Sequence, residues 1–337
     1  MDPVQTPGMQ TLTAIIPATD RPSTLARCLE ALRAAEEGPD ETIVVEEPAG
    51  SGPAAARNRG AEQAVGDILV FVDADVEVHE DAIRRIRQRF GEDERLTALF
   101  GSYDDAPAAT GVVSGFRNLL HHHVHQSSPG PAVTFWSGLG AVRREAFLAA
   151  GGFDAERFPL PSIEDIELGM RLSAAGARIA LDPSVQGTHL KRWAFSSMVA
   201  TDFSQRGVPW MLLLLETGRP SAALNLGWRH RASAVASLAG LLAVAGRRPR
   251  AVAASTAALV ALNRSFYALL LRRRGPAEAA LGVGLHAIHH LTGVAAAVAA
   301  VGLSVTRAGP GKRLPLRRRS RGAGGGADRG HGPRGRA

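Results

Sequence analysis

The chain has 337 residues, 45% of them hydrophobic, and a formal net charge of +7, which excludes a disordered chain and leaves room for one large domain with an appendage. Its single cysteine, Cys28, excludes an intramolecular disulfide framework and a multi-cysteine zinc site. Much of the positive charge lies in arginine runs beside C-terminal apolar stretches, with no nucleic-acid-binding motif alongside, so no nucleic-acid partner is expected.

Residues 1–10 are polar and read as an extension. Residues 11–17 form the first predicted strand; the run is strand-length and shows no cleavage pattern, so no signal peptide is expected. Residues 23–35 read as a helix with Leu25, Leu29 and Leu32 on one face and Ser23 as its N-cap. A second strand is predicted over 41–46, a helix over 54–65, a third strand over 67–72 and a helix over 80–90. Strands separated by helices of this length predict a mostly parallel sheet covered on both faces. Residues 101–135 show no period and read as loop-rich. Residues 143–150 and 163–175 read as helices closed by Gly151-Gly152 and by Gly176, and 178–181 as a strand.

From about residue 231 the texture changes. Ala, Leu and Val dominate at 233–246, 251–271 and 279–305, and charges fall mainly between these runs, as at Arg247-Arg248-Pro249-Arg250 and Arg272-Arg273-Arg274. The last two runs are long enough to span a bilayer, though Arg264 interrupts one of them, and the first is short. Arginine flanks suit the cytoplasmic ends of membrane segments, whereas a soluble Ala-rich helical bundle is the alternative. The tail from 307 is Gly/Arg-rich without periodicity and is predicted to be disordered.

Two places carry chemistry. Asp73-Ala74-Asp75 directly follows the apolar run 68–72, and the C-terminal end of a buried parallel strand is where α/β folds place ligands. Paired hard oxygen ligands suit Mg²⁺ or Mn²⁺, which in turn binds a diphosphate. Glu164-Asp165 opens a helix, and adjacent helical residues do not share a face. One carboxylate is therefore expected in a cleft while the other caps or pairs, although a helix dipole alone also favours acids there. His121-His122-His123-Val124-His125 has no cysteine or carboxylate at ligand spacing and does not predict a zinc site. Trp136 and Trp210 are candidates for stacking on a sugar or lipid, with core packing the alternative.

The segments Ile15-Ile16-Pro17-Ala18-Thr19-Asp20-Arg21-Pro22, Ile43-Val44-Val45-Glu46-Glu47, Ala56-Arg57-Asn58-Arg59-Gly60 and Val72-Asp73-Ala74-Asp75 together resemble the nucleotide-binding half of family-2 glycosyltransferases. Gly138-Leu139-Gly140-Ala141-Val142-Arg143-Arg144, Gly151-Gly152-Phe153-Asp154 and Glu164-Asp165 resemble the acceptor half, and the likeness runs over 11–193. It implies an α/β fold of the GT-A type, the nucleotide-diphospho-sugar transferase domain. The same likeness implies that Pro17 and Thr19 border the nucleotide base, Glu46 lies near base or ribose, and Arg57 helps hold the nucleotide. Asp73 would face ribose and metal, Asp75 would ligate the divalent metal, and Gly138 would line the donor site. Asp165 would be the base, with Glu164 beside it. His189 would complete the metal shell, and Lys191 and Arg192 would neutralise the departing diphosphate. Two departures stand out: Glu46-Glu47 replaces the family's usual Asp pair, and His189 replaces the Gln of the Gln-x-x-Arg-Trp found in processive members, so no polymerase is inferred.

The resemblance therefore implies an inverting transfer from a nucleotide-sugar donor to a hydroxyl on a lipid-linked or cell-envelope polysaccharide acceptor. The segment from Ser265-Phe266-Tyr267 through Arg272-Arg273-Arg274-Gly275 to Leu285-His286-Ala287-Ile288-His289-His290 also resembles the membrane end of some bacterial members. The expected organisation is an extension over 1–10, a catalytic domain over 11–228, a helical membrane region over 229–306 and a basic tail over 307–337. The expected location is the cell membrane, with the catalytic domain on the cytoplasmic side. A domain and tail both on that side require an even number of crossings, so one of the three apolar runs is expected in the interface or in a shallow hairpin. A sugar-nucleotidyltransferase should carry a Gly-rich, basic loop after its first strand, which Ile16-Pro17-Ala18-Thr19-Asp20 lacks. A non-catalytic membrane scaffold would have no need of Asp73, Asp75 and Asp165.

Overall fold

The structure is a computed structural model and describes residues 10–218 and 227–308, so the predicted extension and basic tail lie almost wholly outside it. Its sheet contains β1 (Leu12–Pro17), β2 (Glu41–Val45), β3 (Ile68–Val72), β4 (Val76–Val78), β5 (Leu96–Tyr103), β6 (Gly130–Ala132), β7 (Leu139–Arg143) and β8 (Arg178–His189). The order is β2-β1-β3-β7-β5-β8-β4, with β6 pairing β8. β1 pairs in parallel with both β2 and β3, and β5 with β8. β7 runs antiparallel between β3 and β5, and β4 and β6 run antiparallel to β8. The sheet is thus mixed: its first half is the expected parallel set, and the second half adds antiparallel strands.

Side-chain alternation divides the core into two layers. Leu12, Ala14 and Ile16 of β1 and Ile68, Val70 and Val72 of β3 face α1 (Leu25–Ala34) and α3 (Ala82–Glu92). The intervening Ile15, Leu69 and Phe71 face α2 (Gly52–Gln63), α5 (Arg144–Ala149) and α6 (Glu164–Ala174). Strands buried on both faces read as unbroken apolar runs, which is why β3 was legible. Two glycines set how near the helices come. A Cβ at Gly60 would lie 2.4 Å from the Ile15 Cγ2, and one at Gly169 would lie 2.2 Å from the Phe135 backbone nitrogen. The first lets α2 settle on β1, and the second brings the start of α6 against the segment before β7.

Several expectations change. α1 begins at Leu25, with Thr24 rather than Ser23 at its N-cap and no side-chain cap. Residues 101–135 are not loop-rich: they contain the end of β5 and a fifteen-residue helix, α4 (Val112–Gln126). α4 buries Ser114, Arg117, Asn118 and His125, so the polar positions on its inner face erase the apolar period. The last strand is three times its expected length, running on through Asp182-Pro183-Ser184, where its pairing with β5 shifts register.

Beyond β8 come α7 (Phe195–Ala200), a π-helical turn (Thr201–Gly207), α8 (Val208–Thr217), α9 (Trp228–Ala245), α10 (Pro249–Leu262) and α11 (Arg264–Ala308). α11 is broken at Gly275, whose φ is 80°, just before Pro276. The expected boundary at 228 is crossed by one apolar cluster in which Phe116 and Leu119 of α4 pack with Phe266, Tyr267, Leu270 and Leu285 of α11. Among the described residues one helix, Arg264–Thr306, is long and apolar enough to cross a membrane, where two such runs were expected. Most of its apolar stretch is not buried inside the protein.

Candidate active site

The sheet delivers the first two segments of the site side by side. β1 pairs with β3, so Pro17–Thr19 and Asp73–Asp75 emerge from the same edge. The Asp73 N–H donates to the Gly138 carbonyl over 3.0 Å, and the Leu190 N–H donates to the Asp75 carbonyl over 2.8 Å. Val76 is in register with His189. These backbone ties bring the chain before β7 and the end of β8 to the acidic pair.

Arg57, on α2, is only 3% exposed. Its Nη2 donates to Asp73 Oδ1 at 2.6 Å and its Nη1 to Glu164 Oε1 at 3.0 Å. Burial works against the guanidinium charge, but Asp73, Glu164 and Asp165 together hold it more firmly than usual. Both terminal nitrogens are thus committed to carboxylates. Arg57 thereby bridges the end of β3 and the start of α6.

That bridge separates the roles of the adjacent acids on α6. Glu164 is buried, bonded to Arg57, and takes the Ser162 N–H on its other oxygen at 2.9 Å. Asp165 is only partly buried. Its Oδ2 accepts from the Ser137 N–H at 3.1 Å and hydroxyl at 3.3 Å, and its Oδ1 from the Ile166 N–H at 2.8 Å. Burial first, and then the neighbouring Glu164 charge, push its carboxyl up to about 7. A carboxylate poised near neutrality suits a general base.

Asp75 and His189 form the third element, with Nε2 3.5 Å from Oδ2. Burial alone would raise the Asp75 carboxyl, but His189 and then Lys191 hold it below its usual range. The other ring nitrogen of His189, Nδ1, lies 2.6 Å from Asn118 Oδ1, and Tyr103 stacks on the ring at 4.1 Å and 10°. Among the described residues no three His, Cys, Asp or Glu side chains converge with full ligand spacing. A carboxylate and an anchored imidazole are nevertheless a donor pair that could hold Mg²⁺ or Mn²⁺. Asp73 stands beside this pair, turned toward Arg57.

The remaining expected residues are arranged as follows. Pro17 is half-buried in register with Val45, and Thr19 is buried, its carbonyl accepting from the Gly50 N–H at 3.0 Å. Glu46 is exposed just past β2, whereas Glu47 is taken up by Arg21 and the Ala49 N–H. Gly138 lies over the Trp136 indole, where a Cβ would be 2.5 Å from the ring. Lys191 and Arg192 are exposed beyond β8, with the Lys191 Nζ 4.7 Å from the Trp193 ring centre. His121 and His125 pack around Trp136. Ser137, Tyr103 and Asn118 were not foreseen. Ser137 had a signal in its place before Gly138-Leu139-Gly140, but Asn118 had none, because its helix was not recognised.

Residues 43–149 match the family model for glycosyl transferase family 2. Over 228 aligned residues, 59% of this chain, 26% are identical to the pre-mycofactocin glycosyltransferase of Mycobacterium tuberculosis, of which 46% is covered. Over 152 residues, 40% of this chain, 30% are identical to the O-antigen biosynthesis protein RfbC of Myxococcus xanthus, of which 12% is covered. The chain thus spans less than half the length of these curated relatives. The mannosyltransferase PcManGT from Pyrobaculum calidifontis, solved with GDP-Man and Mn²⁺, superposes with a TM-score of 0.50 at 15% identity, covering 87% of each chain. That likeness shows a shared fold.

Proposed function

We propose, from the match of residues 43–149 to the glycosyl transferase family 2 model, that the chain is an inverting glycosyltransferase that moves a sugar from a nucleotide-sugar donor to a hydroxyl acceptor. The observation that carries this reading is the division of labour on α6: Glu164 is tied through Arg57 to Asp73, while Asp165 stays partly open with its carboxyl raised to about 7. Asp165 takes the proton of the acceptor hydroxyl as that oxygen attacks the anomeric carbon. The bond to the nucleoside diphosphate breaks on the opposite face, so the configuration inverts once. The Ser137 N–H and hydroxyl hold the base in place. Pro17, Thr19 and Glu46 border the donor nucleotide, Arg57 fixes Asp73 beside it, and Gly138 closes the wall. Lys191 and Arg192 meet the departing diphosphate.

Asp75 and His189 would hold a Mg²⁺ or Mn²⁺ ion, with Asp73 beside them. When bound, the ion supplies positive charge to the diphosphate. The complex of PcManGT with GDP-Man and Mn²⁺ supports this by analogy of fold. Apolar residues exposed on α9 and α11, among them Leu241, Leu242, Val298 and Val301, support association with a membrane and a lipid-linked or envelope polysaccharide acceptor. The test is hydrolysis and transfer of nucleotide sugars by detergent-solubilised protein. Asp75→Ala should abolish both, chelation should do so reversibly, and NMR should show an inverted product. Full activity in a chelated preparation or a retained configuration would sink the reading.

A further inference from the structure

We propose that Asn118 is the positioning residue that fixes the tautomer and direction of His189, presenting its Nε2 lone pair beside Asp75. This rests on the reading that Asp75 and His189 hold a divalent cation. Asn118 and His189 are 1% and 5% exposed, and 2.6 Å separates His189 Nδ1 from Asn118 Oδ1. An amide oxygen only accepts, so the ring must carry its proton on Nδ1. In the neutral form that a cation requires, the ring then has its lone pair on Nε2, the nitrogen facing Asp75. Ligating histidines are characteristically held this way by an outer acceptor on the far nitrogen.

The surroundings make the arrangement rigid. Tyr103, stacked on the imidazole, blocks its rotation out of plane. α4 is clamped just ahead of Asn118: Ser114 Oγ accepts from the Trp193 N–H at 2.9 Å, and Arg117 meets Asp202 of the π-helical turn at 2.8 Å. Asp202 in turn accepts from His289 Nδ1 of α11 at 2.8 Å. With the amide turned over, its NH₂ would donate to Nδ1 and leave the proton on Nε2, closing the ligand position. The orientation of one amide therefore decides whether His189 can ligate at all.

The test uses full-length protein in detergent. In metal-free wild type at pH 8, ¹⁵N-histidine NMR should show a proton on His189 Nδ1; an unprotonated Nδ1 overturns the proposal without any variant. Mn²⁺ affinity, read from the EPR signal of free Mn²⁺, should weaken about 10- to 100-fold in Asn118→Leu, the range typical of lost outer-shell partners. Asn118→Asp keeps an acceptor for Nδ1–H and should restore the affinity to within a few-fold of wild type. Should the leucine variant not fold, Asn118→Ala gives the same comparison without the added bulk. Equal Mn²⁺ affinity in wild type and in the leucine or alanine variant, with His189→Ala impaired, overturns the role of Asn118 alone. Mn²⁺ binding that survives His189→Ala overturns the cation reading itself, and the role of Asn118 with it.

Discussion

Arg57 donates to Asp73 over 2.6 Å from a side chain that is almost wholly buried. The same guanidinium reaches Glu164, 107 residues further along the chain. Removing one member of a buried ion pair leaves its partners uncompensated and costs about 3–5 kcal/mol. Arg57→Ala should therefore lower the unfolding free energy, measured by denaturant titration, by an amount in the lower part of that range, because Asp73 keeps some access to water. Donor affinity should fall as well, since Asp73 loses its anchor. An alanine variant as stable as wild type would remove the bridge from the account.

Asp165→Asn keeps the shape of the base but cannot take a proton. Turnover should drop by about 10²–10⁴, the usual general-base contribution, while donor affinity by calorimetry stays unchanged. In wild type, kcat/KM should rise with pH through about 7, where the free enzyme's Asp165 ionises. That limb should vanish in the residual activity of the variant. Glu164→Gln should instead act through stability and donor binding, because Glu164 is committed to Arg57. Wild-type turnover in Asp165→Asn would falsify the assignment.

The same carboxyl links pH to stability. Its folded value, about 7, exceeds its ordinary 3.8, so over that window the folded protein keeps a proton that the unfolded chain releases. The contribution is complete below 3.8 and is lost as pH rises through about 7. Asp165→Asn should flatten this part of the stability profile and gain on wild type above pH 7. Urea midpoints taken at intervals across the window decide it; parallel profiles would mean that Asp165 ionises normally.

Cutting the chain after residue 228 should not release a well-behaved soluble domain. The cut removes Phe266, Leu270 and Leu285 from the cluster they share with Phe116 and Leu119. Exposing a contiguous apolar surface of that kind invites aggregation. The full-length protein should sediment with membranes and resist a carbonate wash, while the shortened chain should be aggregated on size-exclusion chromatography. A monodisperse shortened chain would show that the two parts fold independently.

What was legible in the sequence follows from where its polar residues lie. β3 is apolar on both faces and ends on Asp73-Ala74-Asp75, so composition alone located the acidic edge. Glu164-Asp165 was visible as a pair, but only geometry shows which member Arg57 engages. α4 was missed because Ser114, Arg117 and Asn118 occupy its buried face, and with it went the residue bonded to His189. The three apolar runs became one candidate span because helix length depends on where backbone breaks fall. Arg247-Arg248-Pro249 ends one helix, and Asn263 separates the next two.

α4 has a double membership. Its histidines and Asn118 pack behind the sheet, while Phe116, Leu119 and Leu120 belong to the cluster shared with α11. Neither part of the molecule can open without disturbing this one helix. Local opening therefore cannot stay local: the amides of α4 and of the first half of α11 should exchange with deuterium together, at the rate of a single cooperative unit. Loosening of the C-terminal helices would be felt at His189 before any strand of the sheet had moved.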